Sequence, residues 1–451
     1  MDRPTSLPTA LVAVAIGVAF ADSSIVVLAL PDLYGHFHTS IEGVSWVVTA
    51  YNASVAVAAF GLIAFIHRIR ARWVLTAGLL VFFAASVACS LAGSLAFLIT
   101  ARCVQGAGAA LLLAGALPVL GALTGSVDRG AAIWTLAGTF GIALGPALGG
   151  VLTQVFDWRA IFAAQAPVAA LGLIAVFAAP VGAALEEGWR SSLARTLPAN
   201  ACLGLLFGAL VGVLFLAVLL VITVWGYSPI AGAAIVSVLP AATVASRPLG
   251  RWLSGLTAIC GGAALVATGL VALALLPSPS AWLAAGALAL CGIGLGLAVP
   301  TLSWAALDRA AGLARSGTFT VGVRHLGLVL ALALIAPLLA AKLPDAGRQA
   351  KLKATSVLLD APVGLSTKVP VALDLAAEFE RAQAGEIPDL AKPFDNHGAG
   401  SDPKLASSRD KLVETIEETI TRAFRPAFLL SAALAGLALA VALVARRRVL
   451  E

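Results

Sequence analysis

Stretches of about twenty almost wholly apolar residues recur along nearly the whole chain, and that repetition decides which solvent the chain folds in. A helix rises about 1.5 Å per residue, so each stretch is long enough to cross a hydrocarbon layer ~30 Å thick with its backbone polar groups satisfied internally. Composition agrees. Hydrophobic residues fill 60% of the 451 positions and charged ones 12%, against roughly 45–50% and about 25% in soluble domains, so no soluble core would hide them. Residues 7–30 exceed the usual apolar region of a signal peptide and lack a small-residue cleavage site after it, so they read as the first spanning helix. The five cysteines all fall in apolar runs, which indicates neither a disulfide frame nor a metal cluster.

Twelve spans are expected, near 7–30, 43–66, 74–93, 95–120, 131–155, 160–183, 201–225, 229–246, 253–276, 280–305, 318–341 and 424–445. With the N-terminus in the cytoplasm, the inward segments hold Arg3, Arg68, Arg70, Arg72, Arg129, Arg190, Arg195, Arg247, Arg251, Arg309, Arg315 and Arg446 to Arg448, whereas the short outward loops hold only Arg159. This asymmetry predicts both termini inside. The net charge of +6 is therefore topology, spread over loops rather than gathered in a nucleic-acid-binding patch.

The spans divide six plus six: a first bundle in 1–183, a central cytoplasmic loop in 184–200, and a second bundle in 201–341 with 424–451. Such a repeat suggests a transporter with a cavity between its halves. Segment 342–423 breaks the symmetry on the outer side. It holds all seven lysines and thirteen of the 23 acids, so it reads as a soluble insertion, either a solvated cap or a docking surface for an envelope partner. Helices are expected over 371–385 and 408–424, the second capped by Ser408, with loop between them.

Asp22 is the one acid placed well inside an expected span, since Asp32 and Glu42 fall at or beyond span ends. An ionisable group there costs ~2.5–3.5 kcal/mol on insertion scales and marks a functional hypothesis. Counting from the outer ends of helices 1 and 4 puts Asp22 and Arg102 at similar depths, ~12 and ~11 Å, so the two can share one layer. Desolvation and a guanidinium neighbour act in opposite senses on such a carboxyl, leaving two readings: a proton-exchange site, or a structural ion pair joining helices 1 and 4. Arg102 would control charge, with Gln105 one turn on. Arg324 is expected to snorkel to the cytoplasmic surface. Asp157 and Arg159 are expected to brace a helix end, and His36 with His38 to lie at the outer mouth as solvated residues or a pH-sensitive gate. The expected cavity lining is Tyr51, Gln105, Trp134, Phe140, Gln165 and Trp304. Helix 5 carries GTFGIALGPALGG, whose Gly141, Gly145 and Gly149 form a smooth stripe, followed by Gly150, while Pro146 removes a backbone hydrogen bond and permits a bend.

These residues resemble the drug:H+ antiporter branch of the major facilitator superfamily, whose members usually have fourteen spans. ADSSIVVLALP with Asp22, WVVTAY (46–51), LITARCVQGAGAA (98–110), the complete GxxxGPxxGG of helix 5, VWGYSPIAGAAIVSVLP (224–240) and SGTFTVGVRHLG (316–327) are similar to that branch. The resemblance implies an all-α membrane protein of two six-helix bundles in a bacterial plasma (inner) membrane. It also implies alternating access, proton exchange at Asp22 and export of hydrophobic or cationic small molecules. Two features depart from the pattern. The spans number twelve, and the latch loop after helix 2 offers His67, Arg68, Arg70 and Arg72 where the family has an acid followed by its basic run.

Two alternatives remain from the residues themselves. One is export or flipping of an endogenous lipid-like metabolite, with 342–423 passing cargo outward; the other is a transport-inactive membrane partner, which the degenerate latch would tolerate. No Ser/His/Asp grouping, phosphate-cradling loop or metal-ligand spacing points to an enzyme or a cofactor.

Overall fold

The computed structural model describes residues 6–177, 195–307, 313–381 and 390–445, which are helical throughout apart from short connections. Most of the central segment 184–200, Arg3, Arg190, Arg309 and Arg446 to Arg448 lie outside the described residues, as do the side chains of His67 and Arg251. Ten helices lead up to the long eleventh: α1 (Leu7–Phe37), α2 (Ile41–Ile63), α3 (Ala71–Ser90), α4 (Leu95–Thr124), α5 (Val127–Val155), α6 (Arg159–Phe177), α7 (Leu197–Val224), α8 (Pro229–Gly250), α9 (Gly255–Ala274) and α10 (Ala281–Ala306). Then come α11 (Leu313–Asp360), α12 (Leu365–Arg381), α13 (Lys392–Asn396), α14 (Pro403–Ala423) and α15 (Arg425–Val444).

Serines set many of the starts. Ser40, Ser94, Ser126, Ser228, Ser254 and Ser280 each stand one residue before a helix and accept a hydrogen bond from the N–H three residues on, satisfying a donor that the first turn leaves free. The apolar run then carries each helix across the bundle.

Three of the boundaries that differ from expectation have a local reason. First, α1 does not stop near Leu30: a 3₁₀ turn at Val26–Ala29 absorbs Pro31, and the helix runs on to Phe37, so Asp32 lies within it. Second, the helix expected to end near 341 continues to Asp360 through Pro337 and Pro344. Third, Asp402 rather than Ser408 caps α14, accepting from the Lys404 N–H at 2.9 Å beside Pro403 at the first position, while the Ser408 hydroxyl donates to the Lys404 carbonyl within the helix.

The helices pack as two repeats. In the first, α1 lies on α5, α2 and α3 on α4, and α3 on α6; in the second, α7 lies on α11, α8 and α9 on α10, and α15 on α7 and α9. The close approaches repeat too. A Cβ on Gly141 would meet the Gly17 carbonyl, and one on Gly327 would meet the Gly204 carbonyl, at equivalent crossings. The halves meet through α2 and α4 against α11, and through α5 against α8. Valine at Gly141 or at Gly327 is expected to destabilise the fold by about 1–3 kcal/mol or more, because the obstacle is backbone that cannot rotate away. Thermal denaturation in detergent measures this, with Gly286→Val, where a Cβ meets nothing, expected to melt like the parent.

Beyond the bundle, the extension of α11 and the amphipathic α14 lie side by side, with the Lys353 ammonium donating to the Thr419 hydroxyl at 2.8 Å. Ala350, Ala354 and Leu358 join Leu412, Ile416 and Ile420 in a core continuous with that of the second half. The indole of Trp225, at the end of α7, donates to the Thr421 hydroxyl at 3.1 Å and ties this helical hairpin to the bundle.

Candidate functional site

Asp22 sits at the middle of α1 and is 0% exposed, as is Arg102 on α4. Burial of either charge alone would be prohibitive, and the structure joins them: the Arg102 Nη1 donates to Asp22 Oδ2. The second carboxylate oxygen accepts from Gln165 Nε2 on α6 at 2.6 Å. Gln165 Oε1 accepts from Gln105 Nε2 at 2.8 Å, and Gln105 Oε1 accepts from Arg102 Nη1 at 2.6 Å, which closes a ring of four side chains. Arg102 Nε donates to the Val47 carbonyl at 3.0 Å, Ser86 accepts from Gln105 Nε2 at 2.9 Å, and Arg102 Nη2 is buried without a partner. The guanidinium lies 4.2 Å over the ring of Tyr51, whose hydroxyl donates to the Ala19 carbonyl at 2.8 Å.

Next to this ring a second chain of polar groups crosses between the halves. The Ser23 hydroxyl donates to Asn52 Oδ1 at 3.0 Å, and the same oxygen lies 2.7 Å from Nδ1 of His325 on α11. Asn52 Nδ2 donates to the Val48 carbonyl, so Oδ1 is an acceptor and His325 Nδ1 is the donor. Asn52→Ala and His325→Ala are each expected to cost about 1–3 kcal/mol by stranding a buried polar group, yet the double variant should cost less than their sum. A double-mutant cycle on thermal unfolding measures the coupling.

The helix 5 motif positions α5 against α1. Pro146 has no N–H to give the Ile142 carbonyl, and the Ser24 hydroxyl donates to that carbonyl from across the interface at 3.3 Å. A Cβ on Gly145 would collide with this hydroxyl, so the glycine makes room for the repair. The parts of α5 on either side, 127–142 and 144–155, meet at 41°. Gly149 approaches the Ile25 carbonyl, while Gly150 faces Pro229 and Ala233 of the second half.

An open cavity lies between the two halves. Its walls are Phe20 of α1; Trp134, Thr135, Gly138 and Thr139 of α5; Phe207 and Leu210 of α7; Leu239, Thr243 and Arg247 of α8; Val299 and Ser303 of α10; and Arg324 of α11. A smaller adjoining lobe reaches Ser23, Ser24 and His325 and shares Phe20, Phe207 and Arg324.

Of the six residues expected to line the cavity, the structure puts Trp134 on its wall. Tyr51, Gln105 and Gln165 are instead buried around Asp22, because a polar side chain inside the bundle goes where the charge needs partners. Phe140 is 45% exposed: it lies two residues, about 200° of helix rotation, from both Gly138 and Ile142, which face inward. Trp304 lies past the last α10 lining residue, near the helix end, and is 59% exposed. Arg324 does not snorkel. It is 5% exposed, its Nη2 donates to the Ser303 hydroxyl at 2.6 Å, and its guanidinium lies 4.9 Å over the Phe207 ring. Sequence reasoning assigned no role to Asn52 or His325; an arginine followed by a histidine within an apolar span, VGVRHLG, was the available signal.

Around the site, Asp157 accepts from the Arg159 and Ala160 N–H groups and caps α6, as its turn suggested. His36 packs on Phe37 and Trp158. In the loop after α2, Arg70 is exposed, and Arg72 lies 5.6 Å over the Phe177 ring.

The sequence profile of the Major Facilitator Superfamily matches residues 12–332. Among characterised relatives, the Multidrug resistance protein Stp of Mycobacterium tuberculosis is 35% identical over 178 residues, covering 38% of this chain and 33% of Stp. The Methylenomycin A resistance protein of Streptomyces coelicolor is 33% identical over 178 residues, covering 38% of this chain and 37% of that protein. These matches thus span about a third of the relatives' length. Among solved structures, a bacterial homologue of the human lysosomal transporter Spinster, inward-facing and occupied, superposes with a TM-score of 0.66 at 14% identity over 99% of this chain and 98% of that one, which is a likeness of fold.

Proposed function

The chain belongs to the major facilitator superfamily, and from that premise we propose that it is a proton-coupled secondary transporter that exports apolar small molecules through the cavity between its halves. The observation that carries the proposal is the buried carboxylate of Asp22, held by Arg102 and Gln165 one residue from Ser23, which lines the inner lobe. Both oxygens of the carboxyl accept hydrogen bonds. A proton on Asp22 would take one acceptor away from Arg102 or Gln165 and loosen α1 from α4 or α6. Cargo in the lobe would press on Ser23 and on the Asn52–His325 contact, and so on the arrangement of the halves. Proton and cargo would then act on one two-state element from opposite sides, which is what coupling requires. The basic ends of the helices, near Arg68, Arg70, Arg72 and Arg129, would face the cytoplasm of a bacterial plasma membrane, and the α11–α14 hairpin would stand outside, as the loop charges favour.

Relatives named as drug-resistance proteins support export as the direction. The test is reconstitution. In proteoliposomes, an imposed proton gradient is expected to drive accumulation of at least one dye from a panel of lipophilic anionic, neutral and cationic fluorophores, and a protonophore is expected to stop it. A gradient that holds while none of the dyes moves would sink the proposal.

A further inference from the structure

We infer that the cavity selects amphipathic organic anions, gripping an anionic head at Arg324 and an apolar body on the aromatic wall. This deepens the proposed function, because it names a cargo class for the same cavity.

The charge inventory carries the argument. Arginine cannot shed its proton, so the Arg324 guanidinium at 5% exposure is a fixed cation out of water. Its neighbours are one hydroxyl, that of Ser303, and the faces of Phe207 and Trp134, with ring centroids 4.9 and 5.8 Å away. Its Nε is buried and has no hydrogen-bond partner. Arg247 lines the same cavity, and among the described residues no Asp or Glu lines either lobe. Asp22, the one buried acid among the described residues, is already committed, with one oxygen to Arg102 and the other to Gln165. A cation held out of water on the wall of an apolar space, with one hydroxyl as its hydrogen-bond partner, is compensated best by a ligand that brings an acceptor charge. The remaining wall, with Phe20, Trp134, Phe207 and Leu210, suits a hydrophobic body. A lipophilic cation would meet two guanidinium groups and no counter-charge, so of the hydrophobic or cationic molecules that the family resemblance implied, the geometry opposes the cationic ones.

The test uses tetraphenylborate and tetraphenylphosphonium, which match in shape and apolar surface and differ in sign. Each is bound to the purified full-length chain in a neutral detergent by equilibrium dialysis, with protein-free micelles subtracted. The borate has no hydrogen-bond acceptor, so this pair reads the field of the two guanidinium groups alone: the parent is expected to hold the borate at least about tenfold more tightly, Arg324→Gln to lose most of that preference, and Arg324→Lys to retain part of it. Phe140→Leu, on the outer surface, should leave the ratio unchanged. Decanoate and 1-naphthoate, each against its methyl ester, then separate a chain-like anion from a compact aromatic one; either acid outbinding its ester supports the class.

Equal or tighter binding of the phosphonium by the parent, or an unchanged ratio in Arg324→Gln, would overturn the inference. Should Arg324→Gln not fold, the parent ratio and Arg247→Gln decide it. Binding is read without proton transfer, so a failure of coupling at Asp22 and a failure of anion selection give separate results.

Discussion

Asparagine at position 22 is expected to abolish ligand-evoked proton release while leaving a folded protein. The amide has nearly the shape of the carboxylate and keeps an oxygen that can accept from Arg102, so the contact between α1 and α4 survives in part. What it loses is the group that takes up and gives back a proton, and among the described residues no second carboxyl is fully buried in the spans to replace it. Protons released per ligand bound, measured on the purified protein in lightly buffered detergent, should fall from a defined stoichiometry to background. Release that persists in Asp22→Asn would move the proton to another group and remove the basis for coupling at this site.

Arg102→Leu should do the opposite: it should damage the fold first. It leaves a carboxylate at 0% exposure with Gln165 as its remaining donor, and leaves Gln105 Oε1 with the weak Cys89 thiol donor at 3.6 Å. Breaking a buried pair from one side costs roughly 3–5 kcal/mol. The double variant Asp22→Asn/Arg102→Leu is expected to recover much of that loss, because no orphaned charge remains. Denaturation midpoints of the two single variants and the double decide the matter. An Arg102→Leu protein as stable as its parent would mean that the pair does not fasten the helices.

The spans were legible because each is a run of apolar residues longer than a hydrocarbon core, and Asp22 with Arg102 stood out because charge inside such a run is costly. Equal depth on helices 1 and 4 was enough to bring the two together. Gln165 illustrates the limit: its spacing in α6 gives no hint whether it faces a cavity or a carboxylate, since that depends on how α6 rotates against α1. Phe140 and Trp304 misled for a related reason. An aromatic ring is equally at home against lipid or cargo, and helix phase, not residue type, chooses between them. Arg324 was mistaken for a snorkelling side chain because its nearness to a helix end was visible, whereas Ser303 and the Phe207 ring, contributed by other helices, were not. The prolonged eleventh helix was hidden because its apolar run gives way at Lys342 to a charged stretch, yet the backbone stays helical through Pro344 to Asp360.

That prolonged helix also works as a pointer. Arg324 and His325 sit on the same rod as the tip at Asp360, 36 residues or about 54 Å further along, so a tilt of about 10° about the cavity would swing the tip by roughly 9 Å. A rearrangement too small to resolve around a bound molecule would be magnified outside the bilayer. Fluorophores placed near Asp360 and on a fixed helix end could therefore time each turn of the cycle in single molecules.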